Sequence, residues 1–248
     1  MKLLIGIDDT DNKESRGTGY NSRQLAAAIE SNNLGKVTGI TRHQLFVHPD
    51  IPYTSQNSSA CLEVESNEVD ELTVFCKYFM QNIGAPGSDV GLCIARRNSI
   101  SKEIVSWGID AKSIVLKLGD AITLAKNNSI YLVGLTGTKD GMIGSLAAVG
   151  LRSGGNDGRF IWLNSSKNLR DIEHGIEKVE DLIKTTGVNI VKSINNEVVN
   201  ENDKVFLNDW ARPILENGNS VLLVEKVLNN NGYEWKCAAK EFVKRTSN

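Results

Sequence analysis

The chain opens Met1-Lys2-Leu3-Leu4-Ile5-Gly6-Ile7-Asp8-Asp9-Thr10-Asp11-Asn12, an aliphatic run that passes directly into three carboxylates within four positions. Leu3, Leu4, Ile5 and Ile7 are side chains that a buried strand takes, and the run is short for a helix. The expectation is a core strand with an acidic tip. Gly6 leaves room for something to approach the backbone. Like charges crowded where a chain leaves a sheet cost stability unless a cation, a ligand or hydrogen bonds offset them. Two readings follow. One is a capping and turn cluster, for which Asp and Asn are suited by their bonds to nearby backbone. The other is a magnesium site, because magnesium takes oxygen ligands, usually one or two carboxylates with water and phosphate oxygens. On that reading Asp8, Asp9 and Asp11 are the metal-binding and catalytic acids.

Downstream, Asn12 to Gly19 is a polar loop bearing Gly17 and Thr18, and Tyr20 to Ser31 has helical density in Leu25 to Ile29. A loop that ends on a helix start offers N–H groups and a dipole to an anion, so it can hold a phosphate above the aspartates. A strand over 36–47, a long loop over 48–59 carrying Pro49 and Pro52, a strand over 60–65, a helix over 68–82 and a strand over 91–95 come next. Residues 101–128 read as helical with a break near Gly108, and Ile114, Leu116, Leu118, Ala121, Leu124 and Ala125 are expected to pack on the sheet. The strand Ile130 to Val133 runs into a glycine turn, 134–141, that contains Gly137, Lys139, Asp140 and Gly141 and precedes an alanine-rich helix. Such a turn either seats the helix closely or takes a phosphate with Lys139 as a point charge, although the P-loop pattern is absent. A second glycine turn holds Asp157, a further candidate metal ligand, and Arg159, a candidate phosphate fork. The two turns are expected to meet over the acidic strand end, with Lys139, Asp157 and Arg159 in reach of a nucleotide at Asp8. From Val188 onward short strands dominate (190–194, 198–199, 205–207, 221–227 and 233–238). The domain expectation is therefore an α/β catalytic region over 1–187 and a β-rich carboxy-terminal subdomain over 188–248, with Trp210 and Trp235 in its core because nothing strongly basic surrounds them.

A chain of 248 residues with 40% hydrophobic and 23% charged residues has the composition of an ordinary globular protein. Its formal net charge of -2 provides no global positive field for nucleic acid. Cys61, Cys76, Cys93 and Cys237 are far apart and match no zinc spacing or disulfide framework, and His43, His48 and His174 contain no pair at helical ligand spacing. The start shows no leader pattern and the apolar runs are too short to span a bilayer, so a cytoplasmic location without membrane attachment is expected.

Four segments, Gly6-Ile7-Asp8-Asp9-Thr10-Asp11, Arg16-Gly17 before a helix, His48-Pro49-Asp50-Ile51-Pro52-Tyr53, and Gly141-Met142-Ile143-Gly144-Ser145-Leu146-Ala147-Ala148-Val149-Gly150, occur in this order. Together they resemble the archaeal synthetases that use ATP to attach agmatine to the anticodon cytidine of an isoleucine tRNA. The resemblance covers about the first two thirds of the chain and lacks the family's zinc ribbon. It implies an α+β fold, a mixed sheet with ferredoxin-like elements beside a kinase-like domain, with a small β-rich carboxy-terminal subdomain. It also implies ATP and magnesium as cofactors, a nucleotide and tRNA as partners, and a site that cleaves ATP and transfers a phosphoryl group through Asp8, Asp9 and Asp11. Three positions after Gly17 the family has a threonine implied as phosphoacceptor, where this chain has Tyr20, with Thr18 nearer the glycine. The leading expectation is a magnesium- and ATP-dependent phosphotransferase or ligase-like enzyme. The alternatives are a non-catalytic nucleotide- or RNA-binding homologue, a tRNA-modifying enzyme that works with a partner, and a partner-binding protein whose glycine turns serve packing.

Overall fold

The opening run is strand β1 (Lys2–Asp8), and Leu3, Leu4, Ile5 and Ile7 are fully buried. The computed structural model describes residues 1–54, 56–168, 172, 175–208, 210–228 and 232–247, and the chain divides into two units, Met1–Gly154 and Gly155–Asn248. In the first unit, β1 is followed by helix α1 (Thr18–Ser31), β2 (Lys36–Gln44), β3 (Ser58–Glu65), α2 (Val69–Ile83) and β4 (Gly91–Arg96). The strands lie in the order β4-β1-β3-β2 with every neighbouring pair antiparallel. This βαββαβ arrangement is ferredoxin-like. It is extended by α3 (Lys102–Asp110), α4 (Leu118–Asn127), strand β5 (Tyr131–Gly134), which pairs with β4, and α5 (Gly141–Gly154).

Side chains alternate along a strand, so Leu4, Gly6 and Asp8 share one face of the sheet and Leu3, Ile5 and Ile7 the other. On the first face Leu4, Cys61, Cys93 and Ala95 form one core with Ile104 and Trp107 of α3 and Leu146 to Val149 of α5. Helices α1 and α2 pack on the remaining face. Gly6 is a point of closest approach, since a Cβ there would stand 2.0 Å from the Ser145 carbonyl oxygen of α5. The four cysteines are free and buried.

Two sequence expectations change here. The helical region over 101–128 breaks at residues 111–117, while Gly108 lies inside α3. A Cβ on Gly108 would stand 2.9 Å from the Ala147 carbonyl oxygen, so this glycine lets α3 and α5 cross closely and does not end the helix. Ala121 and Ala125 are buried and Leu116 and Leu124 pack against the core as expected, but Ile114 is half exposed and Leu118 faces a cavity, because they fall in or beside the break.

The second unit contains β6 (Arg159–Leu163), β7 (Ile176–Lys178), α6 (Val179–Thr186), β8 (Ile190–Ser193), β9 (Lys204–Phe206), β10 (Ile214–Glu216), β11 (Asn219–Lys226), β12 (Trp235–Cys237) and α7 (Lys240–Thr246). The hairpin β10–β11 turns on Asn217 and Gly218, both at positive φ. The pairs β8–β11 and β9–β12 are parallel, which makes the strand pairing mixed. The β-rich region expected from Val188 thus shares its unit with residues 155–187. Val198 and Val199 form no strand; Val198 is exposed and Val199 packs against the core of this unit. Trp235 is buried with its indole N–H donating to Asp203. Trp210 packs on core residues too, but Arg159, Arg212 and Lys240 stand 5.6, 5.9 and 5.9 Å from its ring centre, so its surroundings are more basic than expected. No helix among the described residues is long and apolar enough to cross a membrane.

Candidate functional site

Asp8 ends β1 on the face covered by α5. Its carboxylate lies against Gly144, where a Cβ would stand 1.8 Å from Oδ2. The chain then turns through Asp9 at φ 50°, a left-handed conformation that Asp adopts more readily than most residues. Asp11 faces back to α1, which starts at Gly17 without a capping side chain of its own. The Asp11 carboxylate takes that role, accepting from the Thr18 N–H at 3.0 Å and the Thr18 hydroxyl at 2.9 Å. Its other oxygen accepts from the Thr54 hydroxyl at 2.8 Å, which ties the loop between β2 and β3 to the same acid. Buried Thr10 is held beneath by Thr18 and Asn21.

These residues line a cavity of about 360 Å³, within the range of small-molecule sites. Asp8, Asp9, Asp11 and Asp140 face it, with Asp50 to Thr54 and Gln56 to Ser58 from the loop. An aliphatic wall is built from Leu45, Ile114, Val115, Leu116, Leu118 and Ile143, and Lys117 is the one basic residue of the lining among the described residues.

The electrostatics follow from enclosure and crowding. The Asp8 carboxyl is pushed up to about 8, first by burial and then by the charge of Asp9; the Asp9 main-chain N–H that it accepts acts in the opposite direction, and Asp11 adds a smaller push. Asp9 is pushed up to about 6, again first by burial, then by Asp89 and Asp11, against a hydrogen bond from the Asp89 main-chain N–H and with a further push from Asp140. Among the described residues no group of three or more His, Cys, Asp and Glu side chains is arranged as a metal cage. Magnesium needs less, since one or two carboxylates suffice when water and phosphate oxygens complete its shell. The donor chemistry of Asp8 and Asp9 fits that requirement, and a cation held there would offset the burial and the neighbouring negative charge that raise both.

Of the residues singled out from sequence, the structure brings Asp8, Asp9, Asp11, Thr18 and Gly141 into one lining, with Gly17 beside Asp11. Gly137, at φ 50°, is closed off by the protein itself: a Cβ would stand 1.8 Å from Asp89 Oδ1. Lys139 lays its Cβ and Cγ over Gly134, and the turn presents Asp140 to the cavity. Asp157 and Arg159 belong to the second unit, where Arg159 is buried beside Trp210 and Ser247. His43 is buried against the Thr41 hydroxyl, His48 stacks on Phe46, and His174 lies outside the described residues, as does Ser55 of the loop. Tyr20 lies under Arg16, whose guanidinium carbon is 4.3 Å from the ring centre. Sequence reasoning missed Asp89, Lys117 and the aliphatic wall; it had Asp140 only as a member of the glycine turn and Thr54 only within the long loop over 48–59, whose amides and hydroxyls suit ligand contact. The only signal for the wall is an apolar stretch, Ile114 to Leu118, that carries no helical stop or start.

No family model matches the chain. An uncharacterised protein of Methanocaldococcus jannaschii is 28% identical over 153 residues, which is 60% of this chain and 50% of that protein. Among solved structures, a tRNA fluorescent labelling enzyme matches at TM-score 0.54 with 26% identity over 60% of this chain and 36% of that one. The complex of TiaS, an agmatidine synthetase acting on an isoleucine tRNA, with that tRNA and ATP matches at TM-score 0.53 with 25% identity over 60% of this chain and 36% of its own. The chain therefore spans about half the length of the curated relative and about a third of the solved ones. Over three fifths of its length the chain has the fold of TiaS, in line with the resemblance seen in its sequence.

Proposed function

We propose that the first unit binds ATP as its magnesium complex in the cavity at the end of β1 and transfers a phosphoryl group from it. The observation that carries this reading is the pairing, in one cavity, of an aliphatic wall with five aspartates, three of them at the end of β1, and a single lysine. The wall suits a purine. The acids repel a bare polyphosphate, so phosphates enter such a cavity only with a divalent cation. Asp8 and Asp9 would hold that cation, which when bound supplies charge neutralisation at the phosphate oxygens. Asp11 orders the first turn of α1, whose start faces the same cavity and favours an anion. Thr54 fastens the loop across the site. Positioning and charge compensation are most of what phosphoryl transfer asks of a protein, so the arrangement needs no covalent nucleophile. The likeness to TiaS, crystallised with tRNA and ATP, supports an ATP-using enzyme and suggests RNA as the class of its second substrate.

Calorimetry with ATP, with and without magnesium, followed by product analysis, tests the proposal. Binding that requires magnesium, slow release of ADP, and a loss of at least about tenfold in affinity on Asp8→Asn support it. Magnesium-independent binding, or unchanged binding in both Asp8→Asn and Asp9→Asn, would remove the metal site. AMP in place of ADP would reassign the transferred group.

A further inference from the structure

We propose that Asp89 is a positioning residue that fixes the cavity carboxylate Asp140 by filling the glycine turn between β5 and α5 with its own side chain. This rests on the reading of the cavity as a magnesium–ATP site.

Two acceptor groups of Asp89 have different partners. Its main-chain carbonyl accepts from the N–H of Gly141 at 3.0 Å, at the start of α5. Its Oδ1 accepts from the Thr138 N–H at 2.5 Å, with Gly137 pressed against it in a left-handed conformation. The Thr138 hydroxyl in turn donates to Asp140 Oδ2 at 2.9 Å, and Asp140 faces the cavity. Neighbouring bonds fix the same junction: Val90 N–H to the Thr136 hydroxyl, that hydroxyl to the Ser88 carbonyl, and Leu135 N–H to the Val90 carbonyl.

Glycine turns of this kind offer N–H groups to an anion. Here the anion is supplied from within the fold, so the turn is set before any ligand arrives. The choice of an acid has a cost, because the Asp89 charge adds to the repulsion on Asp9. An amide oxygen would accept the Thr138 N–H without that charge. Asp89→Asn therefore separates hydrogen bonding from charge, Asp89→Ala empties the turn, and Gly137→Ala attacks the same contact from the other side.

The test combines two readouts on the whole chain. Without ligand, amide hydrogen exchange reads the turn: Asp89→Ala and Gly137→Ala are expected to speed exchange at Thr138 and Gly141 at least about tenfold while β1 and β3 keep their protection, and Asp89→Asn restores slow exchange. With magnesium and ATP, Asp89→Ala is expected to raise the magnesium concentration for half-maximal nucleotide binding about tenfold and to leave adenosine affinity unchanged, with recovery to within about threefold in Asp89→Asn. Unchanged exchange in both turn-disrupting variants overturns the inference, whatever the ligand. Equal losses in Asp89→Asn and Asp89→Ala overturn it as well, since charge rather than position would then be the cause. A wild-type chain that binds no magnesium–ATP sinks the functional reading, while the exchange readout still decides the role of Asp89.

Discussion

Asp8 and Asp9 have carboxyls raised above the ordinary value of 3.8, to about 8 and about 6. A group raised in the folded state contributes its full stability below the unfolded pKa and loses it as pH rises through the folded one. The ligand-free protein is therefore expected to become less stable from about pH 4 to about pH 8, in the window set by these two groups. Asp8→Asn keeps the shape and removes a charge, so it should raise stability near pH 8 by at least about 1.4 kcal/mol, the worth of one pKa unit. That corresponds to roughly 2–4 °C in melting temperature per kcal/mol for a domain of this size. Melting curves at several pH values, with and without magnesium, check it. An Asp8→Asn chain no more stable than the parent at high pH would mean the carboxylate is compensated by some other group. At this scale the sequence was legible where chemistry was crowded: three acids after a buried strand pointed to the cavity. Asp89 was hidden because it reads as an ordinary turn residue, and its role comes from a turn about fifty positions away, between Gly134 and Gly141.

At the scale of elements, β1 to β4, α1, α2 and α5 were readable because each has a clear apolar run, period or alternation. The Gly108 expectation failed because glycine also serves close helix crossing, which local sequence does not distinguish from a helix end. In the second unit β7, α6, β10 and α7 were missed: three-residue strands and helices of seven or eight residues carry too little pattern to register. The role of α5 gives the next prediction. Its first turns lie directly on the sheet through Gly6 and Gly144, and Gly144 also leaves space for the Asp8 carboxylate. Gly144→Ala sets a methyl 1.8 Å from Asp8 Oδ2. It should cost about 1–3 kcal/mol as overpacking, and weaken magnesium–ATP binding by displacing Asp8. Gly119→Ala, in α4 where a Cβ meets nothing within 4 Å, should be neutral or slightly stabilising. Chemical denaturation of the two variants compares them directly, and equal stabilities would show that α5 has room to shift.

For the whole molecule the relevant quantity is charge, which decides how RNA could be engaged. With 28 basic and 30 acidic residues the chain has no long-range attraction for a polyanion. Several of the basic groups are already engaged: Arg97 and Arg152 converge on buried Glu63, and Lys167, Lys184, Lys192, Lys226 and Lys236 each lie within ion-pair distance of a carboxylate. Each phosphate contact therefore needs such a pair to open or draws on cations outside these pairs. Non-specific duplex binding at physiological salt has a dissociation constant of roughly 10⁻⁴–10⁻⁶ M even for basic proteins, and this chain should fall at the weak end. Filter binding with an isoleucine tRNA at three salt concentrations is expected to show affinity weaker than about 1 μM, falling further as salt rises because counterion release is the main driving term. Adding magnesium and ATP should change this little if the cavity only prepares the phosphoryl donor. Tight binding that ignores salt would mean that RNA is recognised by shape and stacking, and would make RNA the first substrate to test in the transfer reaction.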